Sequence, residues 1–455
     1  MPEAAAHSFG GDPGLINPDV EGLDGSFDQV IQEIPQSLIR AADDWALDPA
    51  LSADPYPLLK GVRDRCGYVV RGENGVFGGV PLANNWGIDL ASTPHFIVLG
   101  VEEQDAIVKD TEHFRNEDAY GALGTAQEVA HGETVGTIPT VNDGEPHDFL
   151  RDFYDTFLSV NTMAIRSRRL IGPICEWLIE RMVARLKRGE AVCLVRDMAL
   201  PLTYKAMSTM LGVAQDQLPT FVALGEKLFS AGVNVEEGAK AGDELFDFFF
   251  SEVEKRKREP GKDALTYFVT ATTDDGRVLS DAEAANTARF ILPAGIETTW
   301  RGLALMLLQI LAHREQYDDV CQDPKLARRA VEEGLRYAPS GFVTPRLASA
   351  DMVVAGCEIP KGGHLTILQG ITNRDPRRWE NPEVFDIHRK FKSNRTFNTG
   401  VHSCAGQHLA RLEMMTCLQL FAEHLPNLHL AIDPEQVEIR GFQVRTPLHL
   451  PVCLK

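Results

Sequence analysis

The chain has 455 residues, of which 44% are hydrophobic, and a formal net charge of −20 at pH 7. The hydrophobic content is ordinary for a globular protein with a sizeable core, and the negative charge argues against nucleic acid or an anionic membrane as a partner. Eight cysteines without a C-x-x-C pattern predict reduced thiols in a cytosolic setting, not disulfides or a structural metal site.

No linker, internal repeat or shift in composition divides the chain. Residues 1–30 are rich in Gly, Pro and Asp and lack periodicity, so they predict a flexible N-terminal arm, followed by one domain over 31–455. The first residues have neither a basic region nor an apolar one, and no run of about 20 apolar residues exists. We therefore expect a cytoplasmic protein that does not contact a membrane.

The N-terminal half predicts short strands at Gly67–Arg71 and Pro94–Leu99 and a loop over Glu117–Thr140, where large apolar residues are few. A helix follows near Pro146, and His147 and Arg151 lie four residues apart on one of its faces. The side chains of His147 and Arg151, both hydrogen-bond donors, then lie on the same side of the helix. From the spacing alone, a solvated helix face is the favoured interpretation.

Ser280 and Glu283 form a capping-box pattern that opens a long, largely buried helix ending near His313. Its middle, residues 294–299 (AGIETT), places a glycine and polar residues among apolar ones. The glycine alone costs roughly 1 kcal/mol, and such local conflicts usually mark function. Pro293 is expected to kink the helix. A structural kink with a capped polar pair is the alternative.

Two further patterns lie downstream. Glu333 and Arg336 are three residues apart on a helix that ends before Pro339, a spacing that is common by chance. Residues 387–396 then turn locally basic and contain no carboxylate; the basic residues are Arg389, Lys390, Lys392 and Arg395. A solvated run of charge is the alternative to a binding surface.

Cys404 stands in residues 397–406 (FNTGVHSCAG), just before an apolar helix that Pro426 ends. Gly400 and Gly406 let the backbone approach a flat ligand closely, and the start of the helix favours a thiolate. The pattern F-x-x-G-x-H-x-C-x-G is expected by chance about 10⁻⁴ times in such a chain. An ordinary buried cysteine is therefore rejected.

These motifs resemble the cytochrome P450 family: the cysteine loop, the A-G-x-[DE]-T stretch at 294–298 and the E-x-x-R pair at 333–336 occur in the family's order. One departure is Asn398, where the family usually has glycine. The resemblance implies a mainly α fold with a small β region (α+β). One large helical domain would hold haem between the long central helix and the buried helix after the cysteine loop.

The same resemblance implies a role for each matched residue. Cys404 would ligate the iron of haem b, and Glu333 with Arg336 would form a structural ion pair. Glu297 and Thr298 would be catalytic, relaying protons. The remaining cofactor-binding residues would be the propionate ligands His147, Arg151, Arg346 and His402, the small residues Ala294 and Gly295 that leave room for O₂, and Phe397, Gly400 and Gly406 of the loop.

A thiolate ligand favours O–O cleavage, so the implied reaction is O₂ activation and hydroxylation of a small to medium hydrophobic substrate. No flavin or iron–sulfur pattern is present, so a separate ferredoxin is the expected donor, docking at the basic residues of 387–396. A peroxygenase, which would not need Glu297 and Thr298, and a non-catalytic haem or small-molecule binding protein are the alternatives. The expected pocket residues are Ile291, Ala294, Gly295, Phe342, Val343, Phe442 and Val444.

Overall fold

The computed structural model describes residues 20–33, 49–82, 89, 91–117, 119, 129–130, 133–134, 138–229 and 235–455. Most of the loop predicted over Glu117–Thr140 lies outside these residues, as do residues 1–19 of the predicted arm. Among the described residues, no helix combines the length and apolarity needed to cross a membrane.

Helices make up most of the described chain, as the resemblance implies. In chain order the α-helices are Gly25–Glu33, Pro49–Ala53, Pro55–Cys66, Val101–Lys109, Glu145–Phe157, Val160–Arg166, Gly172–Lys187, Leu200–Leu211, Leu218–Phe229, Val235–Arg258, Ala264–Thr270, Asp281–Ala312, Arg314–Gln322, Ala327–Tyr337, Gln369–Thr372 and Gln407–His424.

The largest sheet has five strands: β1 Val69–Arg71, β4 His95–Val98, β5 Phe114–Arg115, β9 Val343–Ala348 and β12 His364–Leu368. Their order in the sheet is β1-β4-β12-β9-β5. β4 and β12 run parallel, and the other pairs are antiparallel. The remaining strands form small sheets: β2 Val76–Phe77, β3 Val80–Pro81, β6 Val129–Ala130, β7 Glu133–Thr134, β8 Val192–Cys193, β10 Met352–Val354, β11 Cys357–Ile359, β13 Leu428–Leu430, β14 Ile439–Arg440, β15 Thr446–Pro447 and β16 Pro451–Leu454.

The helix Asp281–Ala312, hereafter the long helix, is the centre of the core. Ser280 and Glu283 form the predicted capping box, and the helix continues through Pro293. It packs against helices 200–211, 235–258, 327–337 and 407–424. Its C-terminal half is buried on nearly every side, which explains why apolar residues there show no single stripe.

The predicted flexible arm is wrong for residues 25–30, because Gly25–Glu33 forms a helix that packs onto helix Gly172–Lys187. Phe27 is buried, and its ring lies 5.6 Å from that of Trp177. Asp28 pairs with Arg181. Two apolar anchors three residues apart, Phe27 and Val30, are enough to hold a short helix that the surrounding Gly, Pro and Asp conceal in the sequence.

Candidate active site

A cavity of 410 Å³ lies between the long helix and the cysteine loop. The long helix contributes Ile291, Ala294, Gly295 and Thr298, all spaced to lie on one face. The loop contributes residues 396–398 and 402–406. The structure therefore brings together two predicted elements that are about 100 residues apart in the chain.

The cysteine loop turns back on itself before helix Gln407–His424, hereafter the cysteine helix. The amide of Cys404 donates to the carbonyl of Phe397 at 2.9 Å. Asn398 and Gly400 both have a left-handed backbone, with φ of 58° and 79°. Asparagine tolerates that conformation better than most residues, so Asn398 can adopt this turn where the family usually has glycine.

The side chain of Cys404 is exposed to the cavity although the residue lies deep in the protein. Burial raises the pKa of this thiol, while the amides of Gly406 and Gln407 and the charge of Arg151 lower it. Burial is the largest of these effects, so the predicted thiolate preference at the helix start is outweighed in the protein alone. A bound metal cation removes that penalty, because it deprotonates a coordinating thiol.

One end of the cavity is lined by His147, Arg151, Arg346 and His402. The rings of His147 and His402 lie 4.3 Å apart. Arg151 Nη1 donates to the carbonyl of Ser403 at 2.6 Å, which ties this helix to the cysteine loop. The four predicted propionate-binding residues thus meet although they come from three distant segments.

The two histidines are held by different carboxylates. His147 Nδ1 lies 2.8 Å from Asp148, and its buried Nε2 has no partner among the described residues. His402 Nε2 lies 2.9 Å from Asp143. Burial lowers the pKa of His402, and the nearby charge of Arg346 lowers it further.

This donor set fits haem b. A thiol faces the cavity from one side, and two guanidinium groups with two imidazoles line one end, where two carboxylates of a ligand would be well bound. The buried Nε2 of His147 is a polar atom that a ligand would satisfy. The faces between are largely apolar, including Leu158 and Phe290.

Comparison with known proteins decides the family, because the family model described as Cytochrome P450 matches residues 196–437, more than half of the chain. The chain belongs to the cytochrome P450 family. It is therefore a monooxygenase with haem b as its cofactor. In common with other members, it uses O₂, a redox partner and a hydrophobic substrate.

Curated relatives and solved structures agree with this assignment. Nocardicin C N-oxygenase from Nocardia uniformis subsp. tsuyamanensis is 29% identical over 78% of this chain and 89% of its own. Pentalenic acid synthase from Streptomyces avermitilis is 30% identical over 69% and 76%. The structure of P450BioI with an acyl carrier protein is 25% identical, covers 88% of this chain and 98% of its own, and has a TM-score of 0.75.

The predicted catalytic pair of this P450 is split by the structure. Thr298 lines the cavity, and its hydroxyl donates to the carbonyl of Ala294 at 2.8 Å. Glu297 does not line it. Its Oε2 accepts from Arg301 Nη2 at 3.0 Å and from Trp300 Nε1 at 3.1 Å, in a fully buried setting. Burial raises the pKa of Glu297, and Arg301 opposes that shift.

Gly295 lines the cavity as predicted, yet its smallness also has a packing reason. A Cβ there would collide with the methyl group of Met207, which also lines the cavity. Met207 comes from helix Leu200–Leu211, and no sequence motif marked it. A larger residue at 295 would therefore displace Met207 before it filled the cavity.

The predicted ion pair forms on helix Ala327–Tyr337. Arg336 Nη2 and Nε donate to the two oxygens of Glu333 at 2.7 and 2.8 Å, and both side chains are buried. Arg389 Nε lies 3.4 Å from Glu333 Oε1, and the amide of Asp386 donates to the same carboxylate oxygen at 2.9 Å. The pair therefore joins this helix to the segment that precedes the cysteine loop.

Four of the predicted pocket residues, Phe342, Val343, Phe442 and Val444, do not line this cavity. Phe342 is fully buried in another cluster, with its ring 5.2 Å from Phe442 and 5.7 Å from Tyr56. Gly370 leaves the space that the Phe342 ring fills. Neighbouring residues line the cavity instead, at Ser340, Gly341 and Thr344. Further lining residues that sequence motifs missed are Asn116, Tyr154, Leu158, Met207, Phe290 and Thr299.

The predicted docking residues also divide. Arg395 is buried and forms an ion pair with Asp105 at 2.5 and 2.6 Å, and Arg389 donates to Glu333 and to three backbone carbonyls. Lys390 and Lys392 are both exposed. Arg389 and Arg395 are therefore structural residues, and the exposed basic surface is smaller than the sequence predicts.

Proposed function

We propose that this P450 hydroxylates a small to medium hydrophobic molecule with electrons from a separate ferredoxin. The supporting observation is the mostly apolar cavity in which the thiol of Cys404 and the hydroxyl of Thr298 face the same space. When bound through a thiolate, haem supplies O₂ activation and O–O cleavage. The protein's own residues supply binding, orientation and proton placement.

Cys404 holds the cofactor from the cysteine-loop side, and His147, Arg151 and Arg346 bind its carboxylates with charge-assisted hydrogen bonds. Support comes from their shared end of the cavity and from the buried, unsatisfied Nε2 of His147. His402 adds a further imidazole there. Apolar side chains such as Ile291 and Phe290 exclude water from the rest of the cavity.

Thr298 is the residue that places a proton. Its hydroxyl bonds to the carbonyl of Ala294, and its oxygen remains an acceptor for water in the cavity. Glu297 reaches the cavity only after leaving Arg301 and Trp300, which costs the hydrogen bonds of a buried carboxylate. Glu297 therefore serves first as an anchor of the long helix, and Thr298 carries the relay.

The apolar lining of the cavity suits a substrate of the hydrophobic class. Relatives carry names as different as nocardicin C N-oxygenase, 6-deoxyerythronolide B hydroxylase and vitamin D3 dihydroxylase. One scaffold therefore accepts substrates of different shape. A terpenoid, an aromatic or a steroid is the range that we propose for this chain.

For the ferredoxin, we propose docking at the surface formed by Lys390, Phe391 and Lys392. Phe391 is 61% exposed between the two lysines, a combination of aromatic contact and charge that suits an acidic electron carrier. Replacing both lysines by glutamate should slow reduction by the ferredoxin and weaken its salt dependence. A reduction rate that ignores both changes would place the partner on another surface.

The test of the proposed function combines spectroscopy and turnover. Reduced protein with carbon monoxide should show the absorption of a thiolate-ligated haem, and Cys404→Ser should lose it. NADH-driven product formation through a ferredoxin system identifies the monooxygenase. Product only with added hydrogen peroxide would overturn the ferredoxin-driven reaction and identify a peroxygenase, the alternative that does not need Glu297 and Thr298.

A further inference from the structure

The carboxylate of Asp143 joins two walls of the cavity. Its Oδ1 accepts from His402 Nε2 at 2.9 Å, and its Oδ2 accepts from the backbone amides of Asn116 at 2.8 Å and Glu117 at 2.9 Å. Arg115 Nε lies 3.8 Å away. The side chains of Asp143 and His402 are only 7% and 5% exposed, so little water competes for these bonds.

The residues that Asp143 holds belong to different parts of the fold. His402 lies in the cysteine loop, while Asn116 follows strand β5. Both line the cavity that also contains His147 and Arg346. The Oδ1 atom of Asn116 is buried and has no hydrogen-bond partner among the described residues. Asp143 itself is not among the lining residues, so it acts through the groups that it orients.

We propose that Asp143 is a positioning residue that holds His402 and the Asn116–Glu117 backbone as one unit at the carboxylate-binding end of the cavity. Cofactor retention and the shape of the neighbouring wall then depend on a single side chain. This inference rests on the proposed role of that end in binding the cofactor. It assigns to Asp143 an indirect role, not contact with the cofactor or the substrate.

A carboxylate meets the demands of this position with both of its oxygens. Three N–H donors converge on two oxygens, and an ionised aspartate is an acceptor at both. An asparagine side chain in its place would present one acceptor and one NH₂ group, so it would either leave the two backbone amides unsatisfied or make His402 Nε2 an acceptor, and it would lose the charge of the carboxylate. Asp148 provides a matched contrast, because it bonds to the neighbouring His147 but is 71% exposed.

The first experiment measures transfer of haem from the purified holoenzyme to apomyoglobin. Loss of the buried charge-assisted bond should make transfer from Asp143→Asn at least about ten times faster than from the wild type. Asp148→Asn should stay within about two-fold, because water replaces its bond. Equal rates for Asp143→Asn and the wild type would overturn the proposal.

A double-mutant cycle tests whether the two walls form one unit. If Asp143 acts through His402, the effect of Asp143→Asn on haem transfer should shrink at least about three-fold in a His402→Ala background. Additive effects would reject the coupling. The carbon monoxide spectrum of the reduced wild-type protein tests the proposed function separately. If the cycle shows no coupling but that spectrum is present, the proposal for Asp143 fails and the proposed function stands.

Hydrogen exchange supplies a measurement that does not need Asp143→Asn to fold. His402→Ala should speed exchange of the Asn116 and Glu117 amides at least about three-fold, although they are far from residue 402 in the chain. The amides of Val69–Arg71, on the opposite edge of the sheet, serve as the internal control. Unchanged exchange at Asn116 and Glu117, or equal acceleration at β1, would overturn the proposal, because a general loss of stability would affect both.

Discussion

Two helices of this P450 each bury a glutamate–arginine pair, and the two pairs are coordinated differently. On Ala327–Tyr337, Glu333 accepts two hydrogen bonds from Arg336 and one from the amide of Asp386. Arg336 donates onward to carbonyls of the segment before the cysteine loop, at Asn373, Pro382 and Val384. The Glu333 carboxylate and the Arg336 guanidinium therefore each have hydrogen-bond partners both on this helix and in the segment before the cysteine loop.

On the long helix, Glu297 is bonded to Arg301 and Trp300 through one oxygen, and its other oxygen accepts from the hydroxyl of Tyr204 at 3.4 Å. Burial outweighs these partners and raises the pKa of Glu297. A buried pair whose arginine also ties several backbone carbonyls together fixes the fold, whereas a buried carboxylate with a raised pKa can shed its charge by binding a proton. The first lies behind the cysteine loop, and the second lies beside the cavity.

The largest effect is expected for Glu333→Ala. Removing one partner leaves Arg336 as a buried, uncompensated charge, so the free energy of unfolding should fall by about 3–5 kcal/mol. Chemical denaturation of the holoprotein, followed by circular dichroism, measures it. Glu254→Ala breaks the exposed pair with Arg258 and should cost less than about 1 kcal/mol. A similarly small cost for Glu333→Ala would contradict the anchoring role.

Glu413 of the cysteine helix extends the comparison to a buried glutamate with no arginine. Its Oε2 has no partner in the described part of the chain, and burial raises its pKa from 4.5 to about 8. The native state then keeps a proton that the unfolded state loses. The stability contribution is complete below pH 4.5 and declines as pH rises to about 8, by about 3 kcal/mol between pH 4.5 and 7.

Glu413→Gln removes this titration, so its unfolding free energy should change less than that of the wild type between pH 4.5 and 8. Denaturant unfolding at a series of pH values provides the measurement. Parallel pH profiles for the two proteins would show that Glu413 is charged in the native state.

Arg301→Met and Arg336→Met compare the two pairs directly. Glu297 can take up a proton when Arg301 is lost, so that variant should cost only about 1–2 kcal/mol at pH 7. Arg336→Met should cost about 3–5 kcal/mol, because it also removes the donors to three carbonyls. The comparison fails if the two unfolding free energies fall equally.

Thr298→Ala should have the smallest effect on stability, within about 1 kcal/mol, because its side chain faces the cavity. Its effect should be on coupling: more NADH and O₂ consumed per product, with hydrogen peroxide released. Thr298→Ser keeps the hydroxyl and should keep most of the coupling. Wild-type ratios of NADH, peroxide and product in Thr298→Ala would remove the proton-relay role and leave a structural hydroxyl.

Several features of this P450 followed from the sequence alone, because they depend on residues close together in the chain. Ser280 and Glu283 of the capping box are three residues apart at the start of one helix, and Glu333 and Arg336 are three residues apart within another. That spacing brings the two side chains of each pair into contact. The spacing of Gly400, His402 and Cys404 likewise identified the cysteine loop. Asn398 can adopt the left-handed backbone conformation of the loop, because this preference depends on the residue type and not on distant contacts.

Other features were decided only by the tertiary structure. Glu297 is adjacent to Thr298 in sequence, yet successive helical residues are about 100° apart, and packing determined which of them faces the cavity. The sequence predicted Arg395 to be a surface charge, but the fold places it in an ion pair with Asp105. Phe342 was predicted to line the pocket, but its ring packs against Phe442 in a separate cluster. Asp143 carried no sequence signal, because its partners at residues 116, 117 and 402 meet only in the folded chain. Local spacing specifies neighbours along an element, whereas the partners of a buried charge are set by how distant elements pack.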